Sequence, residues 1–207
     1  MVLSKETVNF NPGLEIEEKF PNIGVGFVVL RVDPSKNGEN SRDPYIWTIE
    51  ELCDKPATGR RKGDISIPLE TRELNEFHVQ TLRRGLFEEF VGKDDLPRFA
   101  PNLFFGLRHK DINLEVKGRR NVACDVDIVV YDGLRREVPI PSSTSEVKPH
   151  GWMPLFGEGG VLKLTNLRPI AKQVLDQVVK NNSIAQALAN YEKARSLSGG
   201  RPIFYKS

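Results

Sequence analysis

Two segments constrain the fold more than any others. Residues 122–131, VACDVDIVVY, alternate clearly, with Val122, Cys124, Val126, Ile128 and Val130 on one side and Asp125 and Asp127 on the other. A period of two marks a strand, because successive side chains point to opposite faces. Residues 22–32, NIGVGFVVLRV, are rich in Val and Ile with small Gly24 and Gly26, and read as a buried strand. Further strands are predicted at PYIWTIEEL (44–52), ISIPL (65–69, ending near Pro68), NLFFGLRHKDINLEV (102–116) and Trp152–Phe156. The stretches DPSKNGENSRDP, KPATGRRKGD and VPIPSSTSEVKPHG are loops of turn residues, and Thr71–Glu76 is polar and irregular. Helical spacing appears over His78–Val91 and from Leu167 to about Leu197. Asn181-Asn182-Ser183 breaks the second stretch into two helices, with Ser183 as an N-cap. Strands, a helix, more strands and closing helices give an α/β class, a mixed sheet covered on its faces.

Composition removes several alternatives. Of 207 residues, 39% are hydrophobic, enough for a real core and too many for a disordered chain. Thirty Lys and Arg stand against 28 Asp and Glu, a net charge of +2 that gives no support to a general nucleic-acid or membrane binder. Two cysteines, Cys53 and Cys124, make neither a disulfide scaffold nor a four-thiolate zinc site, and their scarcity fits a reducing, cytoplasmic setting. The apolar runs are too short to span a membrane, and the mixed charge of the first twenty residues does not suit a signal peptide.

The chemistry concentrates in residues 65–92, ISIPLETRELNEFHVQTLRRGLFEEFVG. On a helix turning about 100° per residue, Glu88 and Glu89 flank Gly85, with Thr81 and His78 on the same face. Val79, Leu82, Leu86 and Phe90 form the neighbouring apolar stripe. Two carboxylates beside a residue without a side chain leave room for something close to the helix. Hard cations such as Mg²⁺ prefer such oxygens and bridge to phosphates. Arg84, four residues before Glu88, suits an i,i+4 ion pair. His78 is read as a surface residue and left out of the site.

This segment resembles the box of the Nudix hydrolases, G-x5-E-x7-R-E-U-x-E-E-x-G-U, with U a bulky apolar residue. With Arg84 on the motif arginine, Glu76 falls on the upstream glutamate, Leu86 on the apolar position, and Glu88 and Glu89 on the paired glutamates, without a gap. Ser66-Ile67-Pro68 is similar to the lead-in of the family, GVGFVVLRV to its opening strand, and VACDVDIVVYDG to the strand after the box. EVKPHGWMPL and LRPIAKQVLDQVV look like its late Trp strand and closing helix. The resemblance implies a Nudix-like α/β/α sandwich over residues 22–180, with extensions at 1–21 and 181–207.

Three positions depart from the pattern. Glu70 stands at the first glycine, Gly85 replaces the glutamate after the arginine, and Val91 holds the late glycine position, with Gly92 following. The family, as the resemblance implies it, uses box carboxylates to hold Mg²⁺ or Mn²⁺ and splits a nucleoside diphosphate linked to another moiety. Glu89 and then Glu88 are the metal-ligand candidates, with Glu70 a replacement carboxylate. Arg84 orients a carboxylate, and Glu76 either supports the site or serves the helix start, where negative charge is favoured. Glu146 and His150 are the general-base candidates. Arg60, Arg61 and Lys62 are candidates for substrate phosphates, and Arg119-Arg120 a weaker pair.

The first expectation is thus a Nudix-type metal-dependent diphosphohydrolase with a degraded box, acting on a nucleotide diphosphate-type small molecule. The alternative is an inactive Nudix-fold module that binds a nucleotide or a protein partner, with a homodimer open in either case. Substrate choice would lie in the loops Asp33–Pro44 and Lys55–Asp64.

Overall fold

Strand β1 (Gly24–Arg31) is buried along nearly all its length and sits in the middle of the sheet. The computed structural model describes residues 24–31, 44–73, 75–91, 103–115, 122–132 and 146–197. The predicted extension at 1–21, most of the loop after β1 and the Arg119-Arg120 pair lie outside the described residues. The remaining strands are β2 (Tyr45–Glu51), β3 (Ile65–Ser66), β4 (Leu69–Thr71), β5 (Leu103–Leu114), β6 (Val122–Tyr131) and β7 (Val147–Pro154). Helix α1 (His78–Leu86) runs into a π-turn (Phe87–Val91), and α2 (Pro169–Lys180) and α3 (Ser183–Leu197) close the described chain.

Among the described residues these strands form one seven-stranded sheet in the order β3-β2-β1-β6-β5, with β4 also on β1 and β7 on β2. β1 and β6 run parallel, from Gly24 opposite Cys124 to Arg31 opposite Tyr131, and every other pairing is antiparallel. The sheet is therefore mixed, as expected, and its two faces have separate cores. Val28, Leu30, Val126 and Ile128 pack with Ala171, Val174, Leu175 and Val178 of α2 and with Ile184 and Ala187 of α3. Val25, Phe27, Val29, Val129 and Tyr131 pack on the other face with Leu82 and Leu86 of α1 and Phe90 of the π-turn. Successive β1 side chains alternate between these cores, which is why that strand is apolar throughout. Helices thus cover both faces of an α/β sandwich.

Two boundaries differ from the sequence reading, while the predicted break at Asn181-Asn182-Ser183 is present. The segment 65–69 divides at Pro68: β3 pairs with β2, whereas β4 pairs with β1 through Gly26 opposite Leu69. β7 begins at Val147, because Pro149 and Gly151 enter the sheet at a bulge opposite Thr48 and Ile49. Gly151 has φ +119°, a conformation open to glycine, and bulges are where a strand tolerates proline. The long C-terminal stretch breaks at Asn182, whose φ of +56° suits an asparagine. Ser183 is the buried first residue of α3, with its hydroxyl 3.2 Å from His109 Nδ1. Among the described residues, no helix is long and apolar enough to cross a membrane.

Candidate functional site

Residues 65–91 thread from the sheet edge into α1 and gather most of the predicted site. β4 places Glu70 opposite Val25, and the Phe27 N–H donates to the Pro68 carbonyl at 3.1 Å. The Phe77 N–H donates to Gln80 Oε1 at 2.7 Å, so the Gln80 side chain ties down the entrance to α1.

Arg84 is the hub. Its Nη1 donates to Glu70 Oε2 at 2.6 Å, its Nη2 to Glu76 Oε2 at 3.0 Å and to the Thr71 carbonyl at 2.9 Å, and its Nε to Glu76 Oε1 at 3.2 Å. This replaces the expected pairing of Arg84 with Glu88. Glu76 also accepts from the Glu73 N–H and from Thr81 Oγ1, each at 2.9 Å. Its hydrogen bonds with Arg84 lead the causes that hold its carboxyl at about 2. Glu76 and Arg84 thus staple the lead loop to the helix. Burial pushes Glu70 above the usual carboxylate range against the pull of Arg84, and the neighbouring Glu88 charge adds to the rise.

Glu88 and Glu89 do not share a face. Glu88 is exposed, whereas Glu89 is only 6% exposed. Adjacent helical residues lie about 100° apart, so Glu89 falls on the side of buried Leu82 and Leu86 and Glu88 on the side away from them. Burial, then the charges of Glu70 and Glu51, push the Glu89 carboxyl well above its usual range. Its Oε2 has no hydrogen-bond partner among the described residues. The backbone is anchored, with Trp47 Nε1 donating to the Glu89 carbonyl at 2.8 Å.

Gly85 explains its own departure from the motif. A Cβ at this position would lie 2.1 Å from Phe27 Cζ and 2.8 Å from Glu70 Cγ. The Phe27 ring, fully buried, fills the space where a side chain on this turn would go. Among the described residues, no group of three or more His, Cys, Asp or Glu could hold a metal ion. With Glu70 engaged by Arg84, Glu88 in solvent and Glu89 in the core, these donors do not fit a resident Mg²⁺ or Mn²⁺ as they stand.

The basic candidates separate. Arg61 and Lys62 are exposed, but Arg60 turns inward. Its Nε lies 2.9 Å from Glu51 Oε2 and its Nη1 donates to Glu146 Oε2 at 2.7 Å. Glu51 is fully buried and also accepts from Arg168 Nη1 at 2.9 Å. Burial raises its carboxyl despite both arginines. Sequence reasoning missed Glu51 and Arg168. Glu51 had a signal, since it shares the parity of Trp47 and Ile49 on a buried strand face; Arg168, an isolated residue before Pro169, had none. Of the general-base candidates, Glu146 is held below the usual range by Lys55 and Arg60, which weakens it as a base. His150 is exposed on β7.

No family model matches the chain, and no curated protein matches it. Solved structures do. A bifunctional NMN adenylyltransferase/ADP ribose pyrophosphatase from Francisella tularensis, complexed with AMP and a manganese ion, aligns with 79% of this chain at 18% identity and a TM-score of 0.53. The chain spans 42% of that protein's length. The M. smegmatis Nudix hydrolase RenU aligns over 81% of this chain and 90% of its own, at 13% identity and a TM-score of 0.49. The NUDIX domain of Shewanella oneidensis NrtR, in complex with ADP ribose, aligns over 84% and 94% at 15% identity and a TM-score of 0.45. The arrangement of this chain, a mixed sheet between helices with the loop–helix lead at one edge, is similar in fold to the matched part of the Francisella protein.

Proposed function

We propose that this chain is a Nudix-fold module that holds a nucleoside-diphosphate-type ligand without hydrolysing it. The observation that carries the reading is the Phe27 ring in the space beside Gly85, which leaves no room for a carboxylate on that turn. The ligand class is supported by the likeness to part of the Francisella protein, an ADP ribose pyrophosphatase and NMN adenylyltransferase complexed with AMP and a manganese ion. Exposed Arg61 and Lys62 are available cations for its phosphates. The test measures melting temperature with ADP-ribose or ADP, with and without Mg²⁺ or Mn²⁺, alongside chromatography of the products. A ligand-dependent rise with no product under either metal is expected. No rise with any nucleotide sinks the ligand assignment.

One observation favours a second reading, the Nudix-type diphosphohydrolase. Glu89 carries a buried oxygen without a hydrogen-bond partner among the described residues, a state that a bound cation would relieve. Metal-dependent product release by the wild type, abolished in Glu89→Gln, would establish this reading and remove the first.

A further inference from the structure

His78 takes no part in the reading above. It is the first residue of α1, and its side chain is 0% exposed rather than at the surface as its isolation in the sequence suggested. Each ring nitrogen faces a carboxylate. Nε2 is hydrogen-bonded to Asp127 Oδ2, and Nδ1 lies 3.5 Å from Asp125 Oδ2. Asp127 Oδ1 in turn accepts from Arg108 Nε at 3.1 Å. Asp125 and Asp127 of β6 and Arg108 of β5 are the charged groups acting on the imidazole. β1 brings Val25 and Phe27 to this face, while Glu70 of β4 and Arg84 of α1 are engaged with each other.

A neutral imidazole has one N–H and one lone pair, so either tautomer turns a lone pair toward a carboxylate. Only the imidazolium presents an N–H to both. The imidazolium and Arg108 together also offset the two carboxylate charges, which would otherwise be costly on a buried sheet face.

We propose that protonated His78 is a pH-sensitive latch that fastens the first turn of α1 to β6, and that loss of its proton loosens the helix carrying Arg84. Burial opposes the charged ring, but the two aspartates outweigh it and lift His78 above its ordinary 6.5. The latch therefore contributes in full below about 6.5 and is lost as pH rises through the higher, folded-state value.

The experiment is NMR of the imidazole signals of the full chain, with hydrogen exchange of the α1 amides referenced to α2, between pH 6 and 9. Only His78, His109 and His150 need assignment. A His78 ring that is cationic at pH 6.5 is expected, with α1 protection falling about tenfold relative to α2 as the ring titrates. A His78 ring neutral at pH 6 overturns the proposal, as does α1 protection that ignores the titration. Both readouts use the wild type, so a poorly folding His78→Gln variant does not matter.

Discussion

At the scale of single residues, Gly85 is where two rules conflict. In an exposed helix interior, Gly→Ala gains about 1 kcal/mol. Here the added Cβ would sit 2.1 Å from a fully buried ring, and overpacking of that kind costs about 1–3 kcal/mol or more. The steric term wins. Gly85→Ala is expected to be less stable than wild type by about 2 kcal/mol in urea denaturation, and Phe27→Ala in the same chain is expected to recover part of that loss. Additive effects of the two changes would show that the ring does not fill the space. Glu76 supports a separate prediction. Its folded carboxyl lies at about 2 against 4.5 unfolded, so its stabilisation is present above about 4.5 and is lost as pH falls toward 2. Glu76→Gln is expected to lower stability at pH 7 by about 1.5–3 kcal/mol and to flatten the acid limb of a Tm–pH profile. The box residues were legible because their spacing is local. What Gly85 means was not, because Phe27 is brought beside it only by β1 folding under the helix.

Between elements, polar anchors rather than apolar stripes hold the loop side of the sheet. Glu51 of β2 meets Arg60 from the loop before β3 and Arg168 at the entrance to α2, and Glu146 extends the network to β7. A buried carboxylate that loses a cation is destabilised far more than a surface pair would be. Arg168→Ala is expected to cost about 3 kcal/mol, at the lower end for a buried pair because Arg60 remains. Arg61→Ala, at an exposed position, should stay within about 0.5 kcal/mol of wild type in the same urea titration. Equal losses would mean that Arg168 is not holding Glu51. Alternation located β6, and strand-forming composition located β1, β2 and β5. It did not locate the start of β7, because Pro149 reads as a breaker until the bulge is seen. Nor did it show the π-turn, whose altered spacing leaves no mark in FEEFV.

For the whole molecule, the parallel pairing of β1 with β6 lets both faces be covered, and the C-terminal helix contributes to one of them. The sequence reading placed residues 181–207 as an extension because the resemblance to the Nudix family ends at Lys180. The contacts of α3 point to shared stability: Ile184 and Ala187 belong to the same core as α2. Tyr191 packs edge-on against Phe104 of β5. The fit is close, since a Cβ on Gly106 would lie 2.8 Å from Ala187 Cβ, and Asn190 Nδ2 donates to the Gly106 carbonyl at 2.8 Å. Burying a large apolar side chain is worth about 1.5–3 kcal/mol. Loss of Ile184 and Tyr191 with their neighbours therefore removes roughly 5 kcal/mol, comparable with the whole stability of many domains. A chain ending at Lys180 is accordingly expected to lack a cooperative urea transition, whereas Gly106→Val in the full chain keeps one at a lower midpoint. If the shortened chain unfolded with the wild-type midpoint, α3 would be an appendage, and the unit that folds would end at α2.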